Sequence, residues 1–339
     1  MTRVMILGAN GQDGKLLESI LLNKDVEVVS VSRAISSLGL TPISALSTRL
    51  VADIRDTPEI LRIFHKYQPS TIVNFASMSS VWKCQQSPEM SQEINQDAVL
   101  RILRELTNLN DSYSQPIQFI QASSSEMYSE NKGLPVSEDT EVRPITVYGQ
   151  HKAKVHEALM SYSDQNKLHA TSVILFNHES PLRPENFVIR KISLNIAKLI
   201  NNEITKFSLG DLRVSRDWGY APDYVRAVSR IIGRKDINLI VLASGQLVTL
   251  LEICETALKT FGYDDFEKYI DSSHENYRKY PSSGVFGNSN LAFNLTGFSN
   301  SRNIHQILKE MVELDSWSLK NNGSKQRVEE WLKIQTRIN

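Results

Sequence analysis

The chain has 339 residues, of which 38 are Lys or Arg and 38 are Asp or Glu, so its formal net charge is zero. This length is sufficient for one large or two medium domains, and the neutral charge argues against nucleic acid or an anionic membrane as the main partner. Cys84 and Cys254 are too few for a disulfide framework or a metal cluster, which indicates reduced thiols in a cytoplasmic protein without a metal site. The N-terminus does not resemble a signal peptide and no apolar run reaches about 18 residues, so we expect no membrane span.

The N-terminal segment has the order of strand, glycine turn and helix. An apolar strand at Val4 to Leu7 leads into Gly8-Ala9-Asn10-Gly11-Gln12-Asp13-Gly14, and Leu and Ile then recur at helical spacing up to Leu22. Glycines let a backbone approach a pyrophosphate closely, and the free N–H groups of a helix N-terminus attract its charge. The pattern therefore predicts a dinucleotide-binding turn, and a plain turn with incidental glycines is the alternative.

The second strand, Val26 to Val31, ends in Ser32-Arg33. NAD-binding proteins commonly have Asp or Glu at this point for the ribose hydroxyls, whereas a guanidinium suits a 2′-phosphate. Arg33 therefore favours NADP over NAD, with an incidental surface arginine as the alternative. Residues 34–48 are predicted to form a loop, and a third strand over Leu50 to Ala52 ends at Asp53-Ile54, which would meet the adenine.

Helices and strands then alternate along the chain. We predict a helix, a strand and a helix over Thr57 to Tyr67, Thr71 to Ala76 and Ile94 to Leu106. The buried face of the first helix would contain Ile60, Leu61 and Phe64. The strand is followed by small residues that leave room for a ligand or make a tight turn, namely Ser77, Ser79 and Ser80.

The next stretch contains the candidate catalytic groups. An apolar strand over Ile117 to Ala122 precedes the turn-rich Ser123-Ser124-Ser125-Glu126, and Val147 opens a helix. Tyr148 and Lys152 are four residues apart, so they project from one helix face, where the ammonium would lower the pKa of the phenol and make it a proton acceptor. Such a pair alone is often only a solvated helix face, and Glu126 alone is often the cap of a turn.

After a strand over Thr171 to Leu175 the chain becomes polar and is interrupted by proline. We predict helices from Asn186 to about Leu199 and from Asp223 onward. Basic residues that would converge on a diphosphate, unless they are scattered surface charges, are Arg183, Lys191, Arg216 and Arg278. The predicted fold class is α/β, with a Rossmann doubly wound parallel sheet over residues 1–178, joined by segments around 211–247, and a smaller α-rich C-terminal substrate-binding lobe over residues 179–339.

Together these motifs resemble the extended short-chain dehydrogenase/reductase superfamily, and more narrowly the GDP-mannose 4,6-dehydratase family. The glycine turn and the pair of Tyr148 and Lys152 are common to the superfamily. The match also includes Gln121-Ala122-Ser123-Ser124-Ser125-Glu126, and its far more specific segments are Asn177-His178-Glu179-Ser180-Pro181 and Arg216-Asp217-Trp218-Gly219. The resemblance extends from residue 1 to about Phe298.

The resemblance implies a role for each candidate site residue. The catalytic residues would be Ser124, Glu126, Tyr148 and Lys152. The residues that bind NADP would be Gly8, Asn10, Gly11, Gln12, Asp13, Gly14, Arg33, Asp53, Ile54, Phe75, Ala76, Ser77, Ser79, Tyr148, Lys152, His178 and Arg183. The residues that bind a GDP-sugar would be Ser80, Ser125, Asn177, Glu179, Asn186, Lys191, Arg216 and Arg278.

The reaction implied by the resemblance is the NADP-dependent 4,6-dehydration of a GDP-sugar, which is GDP-mannose or a relative such as GDP-manno-heptose. Glu126 would supply the acid and base for the loss of water, which a simple reductase or epimerase does not need. The alternatives are an NADP-linked nucleotide-sugar 4-reductase or epimerase, and a non-catalytic homologue that only binds the cofactor.

The chain departs from the family at several points. Ser124 replaces a threonine, Met90 replaces a tyrosine near the cofactor, and Arg33 is what remains of an arginine pair. The loop over residues 34–48 is shorter than its counterpart, which takes part in tetramer formation in relatives. We therefore expect a homodimer or a homotetramer.

Overall fold

The computed structural model describes residues 2–34, 45–110, 117–131, 133, 135–165, 168–272 and 284–337. The strands are β1 Arg3–Leu7, β2 Glu27–Ser32, β3 Ser47–Val51, β4 Thr71–Asn74, β5 Gln118–Ser124, β6 Pro135–Val136, β7 His169–Leu175, β8 Asn177–Glu179, β9 Phe207–Ser208, β10 Ser215–Tyr220, β11 Leu239–Leu242, β12 Leu247–Thr249, β13 Ile270–Asp271 and β14 Phe286–Gly287. The helices are α1 Gln12–Leu22, α2 Thr57–Tyr67, α3 Val81–Gln86, α4 Pro88–Gln92, α5 Ala98–Asn110, α6 Val147–Asp164, α7 Val188–Ile200, α8 Ala221–Ile231, α9 Leu250–Thr260, α10 Phe266–Tyr269, α11 Asn290–Thr296, α12 Ile304–Lys320 and α13 Gln326–Thr336. A π-helical turn, Glu93–Asp97, joins α4 to α5, and a 3₁₀ turn, Ser125–Tyr128, follows β5.

Seven parallel strands form the central sheet in the order β11-β7-β5-β4-β1-β2-β3. The chain proceeds outward from β1 to β3 and then returns to place β4 on the other side of β1. Ligands of open α/β sheets bind at such a reversal, outside the carboxyl ends of the strands. The doubly wound Rossmann sheet predicted from the sequence is thus confirmed, and the reversal lies beside the glycine turn that follows β1.

Residues beyond the first half of the chain also contribute to this sheet. β11 pairs with β7, and α8 packs against α1. The remaining strands form small sheets, in which β10 lies between β8 and β12, while α7 and α9 pack against α12. The division into two lobes at residue 178 stays a prediction.

Several predicted elements have different ends in the structure. Ser123 and Ser124 belong to β5 and not to a turn, because they continue its pairing with β7. Ser47 and Thr48, predicted in a loop, belong to β3 because they pair with β2, and residues 35–44 of that loop lie outside the described residues. On α2, Leu61 is only partly buried, and Ile63 is buried on that helix together with Ile60 and Phe64.

The helix predicted over residues 94–106 is interrupted near its start by the π-helical turn. None of the described helices combines the length and the apolar character that a membrane span requires.

Candidate active site

The four predicted catalytic residues line one cavity of about 660 Å³ at the carboxyl end of the central sheet. Ser124 is the last residue of β5, and Glu126 lies in the 3₁₀ turn that follows. Tyr148 and Lys152 lie on the first turns of α6. The strand end and the helix start therefore bring a hydroxyl, a carboxylate, a phenol and an ammonium to the same wall, as the sequence predicted.

Lys152 is almost completely buried, with 2% of its surface exposed. Its Nζ donates a hydrogen bond of 2.9 Å to the carbonyl oxygen of Ala122 and lies 5.7 Å from the centre of the Tyr148 ring. Burial disfavours the charged form and lowers the pKa of Lys152 to about 8. The amine can therefore exchange a proton close to neutral pH.

Tyr148 shows the opposite shift. Burial raises its pKa to about 12, and the hydroxyls of Ser77 and Ser124, which face the phenol, offset this only in part. The predicted lowering of the Tyr148 pKa is thus wrong, because burial raises it by more than the two serine hydroxyls lower it.

Glu126 is held from two sides. Its Oε2 accepts a hydrogen bond of 3.2 Å from Thr146 Oγ1, and its Oε1 lies 3.4 Å from Nη2 of Arg216. The turn is capped by Ser124 Oγ, which accepts from the Glu126 N–H at 3.2 Å, so the carboxylate is not the cap of its own turn. Arg216, predicted as a diphosphate ligand, therefore lies against the candidate acid and base.

Close packing of α6 on the 3₁₀ turn requires a glycine. A Cβ atom at Gly149 would lie 2.3 Å from the carbonyl oxygen of Glu126, which no side chain can tolerate. The Gly149 N–H donates to Thr146 Oγ1 at 3.0 Å, so Thr146 caps α6 while its hydroxyl contacts Glu126.

A buried polar network behind the phenol was not predicted from the sequence. Ser77 Oγ donates to Asn95 Oδ1 at 2.8 Å, and Asn95 Nδ2 donates to the carbonyl oxygen of Met78 at 3.1 Å. Cys84 Sγ donates to the same carbonyl at 2.9 Å. Asn95 lies in the π-helical turn, where helical spacing breaks down, so periodicity could not place it.

The glycine turn is compact enough to receive a pyrophosphate. Gly8 has a φ of 81°, and a Cβ atom there would lie 2.6 Å from the Ala76 nitrogen, so only glycine fits. At Gly14 a Cβ atom would lie 2.6 Å from the carbonyl oxygen of Gly8. The N-cap of α1 is Gly11, which has no side chain to cap the helix, so the positive end of α1 is open to an anion.

The next two residues of the turn fasten it to β8. Gln12 Nε2 donates to the carbonyl oxygen of His178 at 3.0 Å and Gln12 Oε1 accepts from Ser180 Oγ at 2.8 Å, while His178 Nε2 lies 3.0 Å from Asp13 Oδ1. Burial opposes the charged imidazole, yet the carboxylate of Asp13 raises the pKa of His178. Asp13 and His178 also line the cavity, and their contact with a cofactor stays a prediction.

The predicted adenosine residues lie along the sheet edge and not in the cavity lining. Asn10 Nδ2 donates to the carbonyl oxygen of Ala34, next to the exposed Arg33. Asp53 forms an ion pair with Arg55, with 2.9 Å between Oδ2 and Nη2. Ile54 is packed in the core at 6% exposure, so only its backbone is available to a ligand.

Other predicted cofactor residues follow β4. Phe75, Ser77 and Ser79 line the cavity, as does Arg183, whereas Ala76 packs against the glycine turn.

Of the substrate residues, all but two are placed around the cavity. Those that line it are Ser80, Asn177, Glu179, Asn186, Lys191 and Arg216. Ser125 does not line it, and Arg278 lies outside the described residues. Glu179 is 1% exposed and pairs with Arg183 at 3.4 Å, and its burial raises the pKa of its carboxyl group. Arg183, Lys191 and Arg216 line the same cavity, where Arg183 faces Glu179 and Arg216 faces Glu126.

Comparison with known proteins matches most of the chain. A family model described as GDP-mannose 4,6 dehydratase matches residues 5–311. The GDP-mannose 4,6 dehydratase of Drosophila melanogaster is 33% identical over 266 residues, which cover 75% of this chain and 67% of that protein. GDP-mannose 4,6 dehydratase 2 of Caenorhabditis elegans is 29% identical over 338 residues, which cover 92% of this chain and 88% of that protein. The structure of RMD from Pseudomonas aeruginosa complexed with NADPH has the same fold, with a TM-score of 0.74, 19% identity and coverage of 94% of this chain and 100% of that one.

Proposed function

Since this chain belongs to the GDP-mannose 4,6-dehydratase family, we propose that it catalyses the NADP-dependent 4,6-dehydration of GDP-mannose or a close relative such as GDP-manno-heptose. The observation that carries the proposal is the carboxylate of Glu126 on the same cavity wall as Ser124, Tyr148 and Lys152. Oxidation or reduction of a sugar hydroxyl needs only the last three groups. Loss of water across C5 and C6 needs a further acid and base, which Glu126 supplies.

The residues present fit NADP. The open N-terminus of α1 and the close approach at Gly8 and Gly14 suit the pyrophosphate, and Arg33 suits the 2′-phosphate. When bound, NADP⁺ supplies the hydride acceptor for C4 and afterwards the hydride donor for C6, so the cofactor ends in its starting state.

Tyr148 and Lys152 handle the proton of the sugar O4. Ser124 orients the hydroxyl and Tyr148 accepts its proton. At neutral pH the phenol is itself protonated, because its pKa is about 12. Lys152, with a pKa of about 8, is mainly an ammonium at neutral pH, and only its neutral amine form, whose share grows toward pH 8, can take up the phenol proton as the O4 proton arrives.

Glu126 performs the elimination. Once C4 is a ketone, the C5 proton is acidic, and the carboxylate removes it and passes it to the departing C6 hydroxyl. Thr146 and Arg216 keep the carboxylate in place for both transfers. The sugar loses one water in total, its oxidation at C4 is matched by reduction at C6, and the proton taken from O4 is the one that returns to C5.

The test is to incubate the protein with GDP-mannose and catalytic NADP⁺ and to follow the sugar by mass spectrometry. We expect a product lighter by one water and no accumulation of NADPH. Glu126→Gln should lower the rate of water loss by at least about 100-fold, because an acid–base group contributes that much, while the C4 oxidation still produces NADPH.

Glu130→Gln changes an exposed glutamate of the following segment and is the matched control. Full water loss by the Glu126 variant would exclude its assigned role. Stoichiometric consumption of NADPH, or no water loss from GDP-mannose, GDP-heptose or other nucleotide sugars, would instead favour a reductase, an epimerase or a binding protein.

We also propose that the chain forms a homodimer or homotetramer in the cytoplasm. A groove of about 960 Å³ runs along the outer face of α6, and apolar side chains such as Val142 and Met160 line it. Polar and charged side chains, such as Gln150, Lys154 and Glu157, line the rest of it, so it offers a second copy of the chain both apolar contacts and hydrogen-bond partners. The thiols of Cys84 and Cys254 are both buried and unpaired, as in a reducing compartment.

A further inference from the structure

The proposed reaction uses only one of the two serine hydroxyls that face the phenol of Tyr148. Ser124 Oγ accepts the Glu126 N–H at 3.2 Å, and its single proton is needed to orient the sugar O4. Ser124 therefore cannot donate to the phenol oxygen at the same time. Ser77 is the second hydroxyl, in the lining of the same cavity: burial raises the pKa of Tyr148, and among the groups that lower it the Ser77 hydroxyl has the largest effect.

Ser77 can turn its proton toward the phenol at little cost. Its Oγ donates to Asn95 Oδ1 at 2.8 Å, and the same amide oxygen also accepts the Met78 N–H at 2.9 Å. When the hydroxyl turns away, Met78 still satisfies that oxygen, so no buried acceptor is left without a partner. The proton of Ser77 is therefore free to move between Asn95 and the oxygen of Tyr148.

The amide of Asn95 is fixed in one orientation. Asn95 is fully buried in the π-helical turn, and its Nδ2 donates to the carbonyl oxygen of Met78 at 3.1 Å and to Ser91 Oγ at 3.2 Å. Ser91 is also fully buried, and its Oγ lies 2.9 Å from His151 Nδ1. A flipped amide would turn its donors toward the Met78 N–H, where an acceptor is required. Asn95 therefore holds the Ser77 hydroxyl in a constant place beside the phenol.

The phenol oxygen becomes negative during the proposed reaction. Charge develops on it as its proton passes to the neutral amine of Lys152, and persists until the O4 proton arrives. Lys152 Nζ donates to the carbonyl oxygen of Ala122 and lies 5.7 Å from the ring centre, while burial, Cys84 and Glu126 all oppose the phenolate. A hydrogen bond to a charged oxygen is about twice as strong as one to a neutral oxygen, so a further donor has its greatest effect at this moment.

We propose that Ser77 is a further catalytic residue, whose hydroxyl turns from Asn95 to the oxygen of Tyr148 and stabilises the phenolate during proton transfer. Asn95 is the positioning residue that keeps this hydroxyl within reach. The backbone of Ser77 stays available to the cofactor. The proposal rests on the proposed function, in which Tyr148 accepts the O4 proton.

The first experiment titrates the phenol in the whole chain, without sugar or cofactor. A fluorinated tyrosine in place of Tyr148 has a more acidic phenol, which moves its titration to lower pH, and fluorine NMR reports its charge. Ser77→Ala should raise its pKa by about 1, because a hydrogen bond to a charged group is worth at least about a factor of ten. Ser87→Ala removes an exposed serine between α3 and α4 and should leave the pKa unchanged.

The same titration separates positioning by Asn95 from a general structural effect. Asn95→Ala should raise the pKa of the phenol, since Ser77 is then no longer held beside it. Adding Asn95→Ala to Ser77→Ala should raise it no further, because Asn95 acts through the Ser77 hydroxyl. A further rise in the double variant would contradict the positioning role.

The second experiment follows the formation of NADPH in a single turnover of Glu126→Gln, which stops after the oxidation of C4. Adding Ser77→Ala should lower this rate about tenfold and leave the dissociation constant of NADP⁺, measured by calorimetry, within about twofold. Ser77→Thr keeps a hydroxyl and should retain most of the rate.

An unchanged phenol pKa in Ser77→Ala overturns the proposal. A loss of NADP⁺ affinity as large as the loss of rate overturns it as well, since Ser77 would then act on the cofactor. If no nucleotide sugar is oxidised, the proposed function fails, and the titration without sugar still decides whether Ser77 stabilises the phenolate.

Discussion

Burial shifts the pKa values of Tyr148 and Lys152 in opposite directions. The phenol is held in its neutral form by a pKa of about 12, whereas the ammonium is weakened to a pKa of about 8. Burial thus moves the two pKa values apart, from about 10 for a free tyrosine and about 10.4 for a free lysine. The amine is therefore the group whose charge responds to mildly alkaline pH.

Lys152→Met should reveal this shift as a pH dependence of stability. Between a folded pKa of about 8 and an unfolded pKa of about 10.4, the unfolded chain binds more protons than the folded one. The free energy of unfolding of the wild type, relative to that of the variant, should thus rise with pH in this window, by roughly 2 kcal/mol up to pH 10. Urea denaturation across this range measures it.

Lys154→Met is the matched control, because it removes an exposed lysine of the same helix. If the difference between wild type and Lys152→Met does not change with pH, the lowered pKa of Lys152 is wrong.

The types of the catalytic residues could be predicted from the sequence, but their partners could not. The four-residue spacing placed Tyr148 and Lys152 on one helix face. The approach of Arg216 to Glu126 joins residues 90 positions apart, and it depends on the tertiary placement of β10, which pairs with β8 and β12. Asn95 carried no signal at all, since a buried asparagine in an irregular turn follows no period.

At the scale of elements, α6 connects the two halves of the catalytic machinery. Its first turns carry Tyr148 and Lys152, and its N-cap, Thr146, contacts the carboxylate of Glu126. The same hydroxyl thus accepts from the helix and donates to the acid–base residue. A substitution of Thr146 can separate helix capping from the contact with Glu126 only if the new side chain keeps one of these two hydrogen bonds.

Substitutions of Thr146 should separate these roles. Thr146→Ala loses the cap and should cost about 1 kcal/mol of stability, measured by urea denaturation. Thr146→Asp keeps a capping oxygen but cannot donate to Glu126, and two facing carboxylates raise a pKa, so its pH–rate profile should move to higher pH with stability near that of wild type. Thr146→Ser should retain both properties. An unshifted profile for Thr146→Asp would show that a charge at position 146 does not reach the group that limits the rate.

The ends of elements could be predicted where local signals decide them. α2 has the predicted bounds, Thr57 to Tyr67, because Asp56 caps it and Pro58 fits its first turn. β5 continues through Ser123 and Ser124 because they pair with β7. A run of serines is typical of a turn, so this pairing could not be predicted from the sequence. Tertiary pairing overrides local preference there.

For the whole molecule, the alternation of strands and helices was sufficient to predict the doubly wound sheet. The return of Leu239–Leu242 to the edge of that sheet was foreseen only as a segment around residues 211–247, because a run of four apolar residues has no distinct period. The three-stranded sheet of β8, β10 and β12 and the two-stranded sheets of β9 with β13 and β6 with β14 were missed, since such short strands are stabilised by their partners and not by their own sequences.

The proposed homodimer or homotetramer can be tested in solution. Light scattering should give a molar mass of two or four chains. Gln150→Arg places a bulky charge at an exposed position of the groove along α6 and should shift the protein toward the monomer. Gln326→Arg, at an exposed position of α13, is the control. A monomeric wild type would contradict the assembly, and an unaffected Gln150 variant would exclude this face.

The π-helical turn between α4 and α5 has a consequence for how the sequence can change. A wide turn of this kind accommodates one residue more than a regular helix, at the expense of ordinary hydrogen bonding. Deleting one residue of the π-helical turn would make the helix more regular. It would also rotate Asn95 by about 100° away from Ser77, so buried polar groups behind the phenol of Tyr148 would lose their partners. At this position the stability of the helix therefore competes with the function of the cavity. Changes that make the helix regular should accumulate only in homologues that are no longer selected for activity.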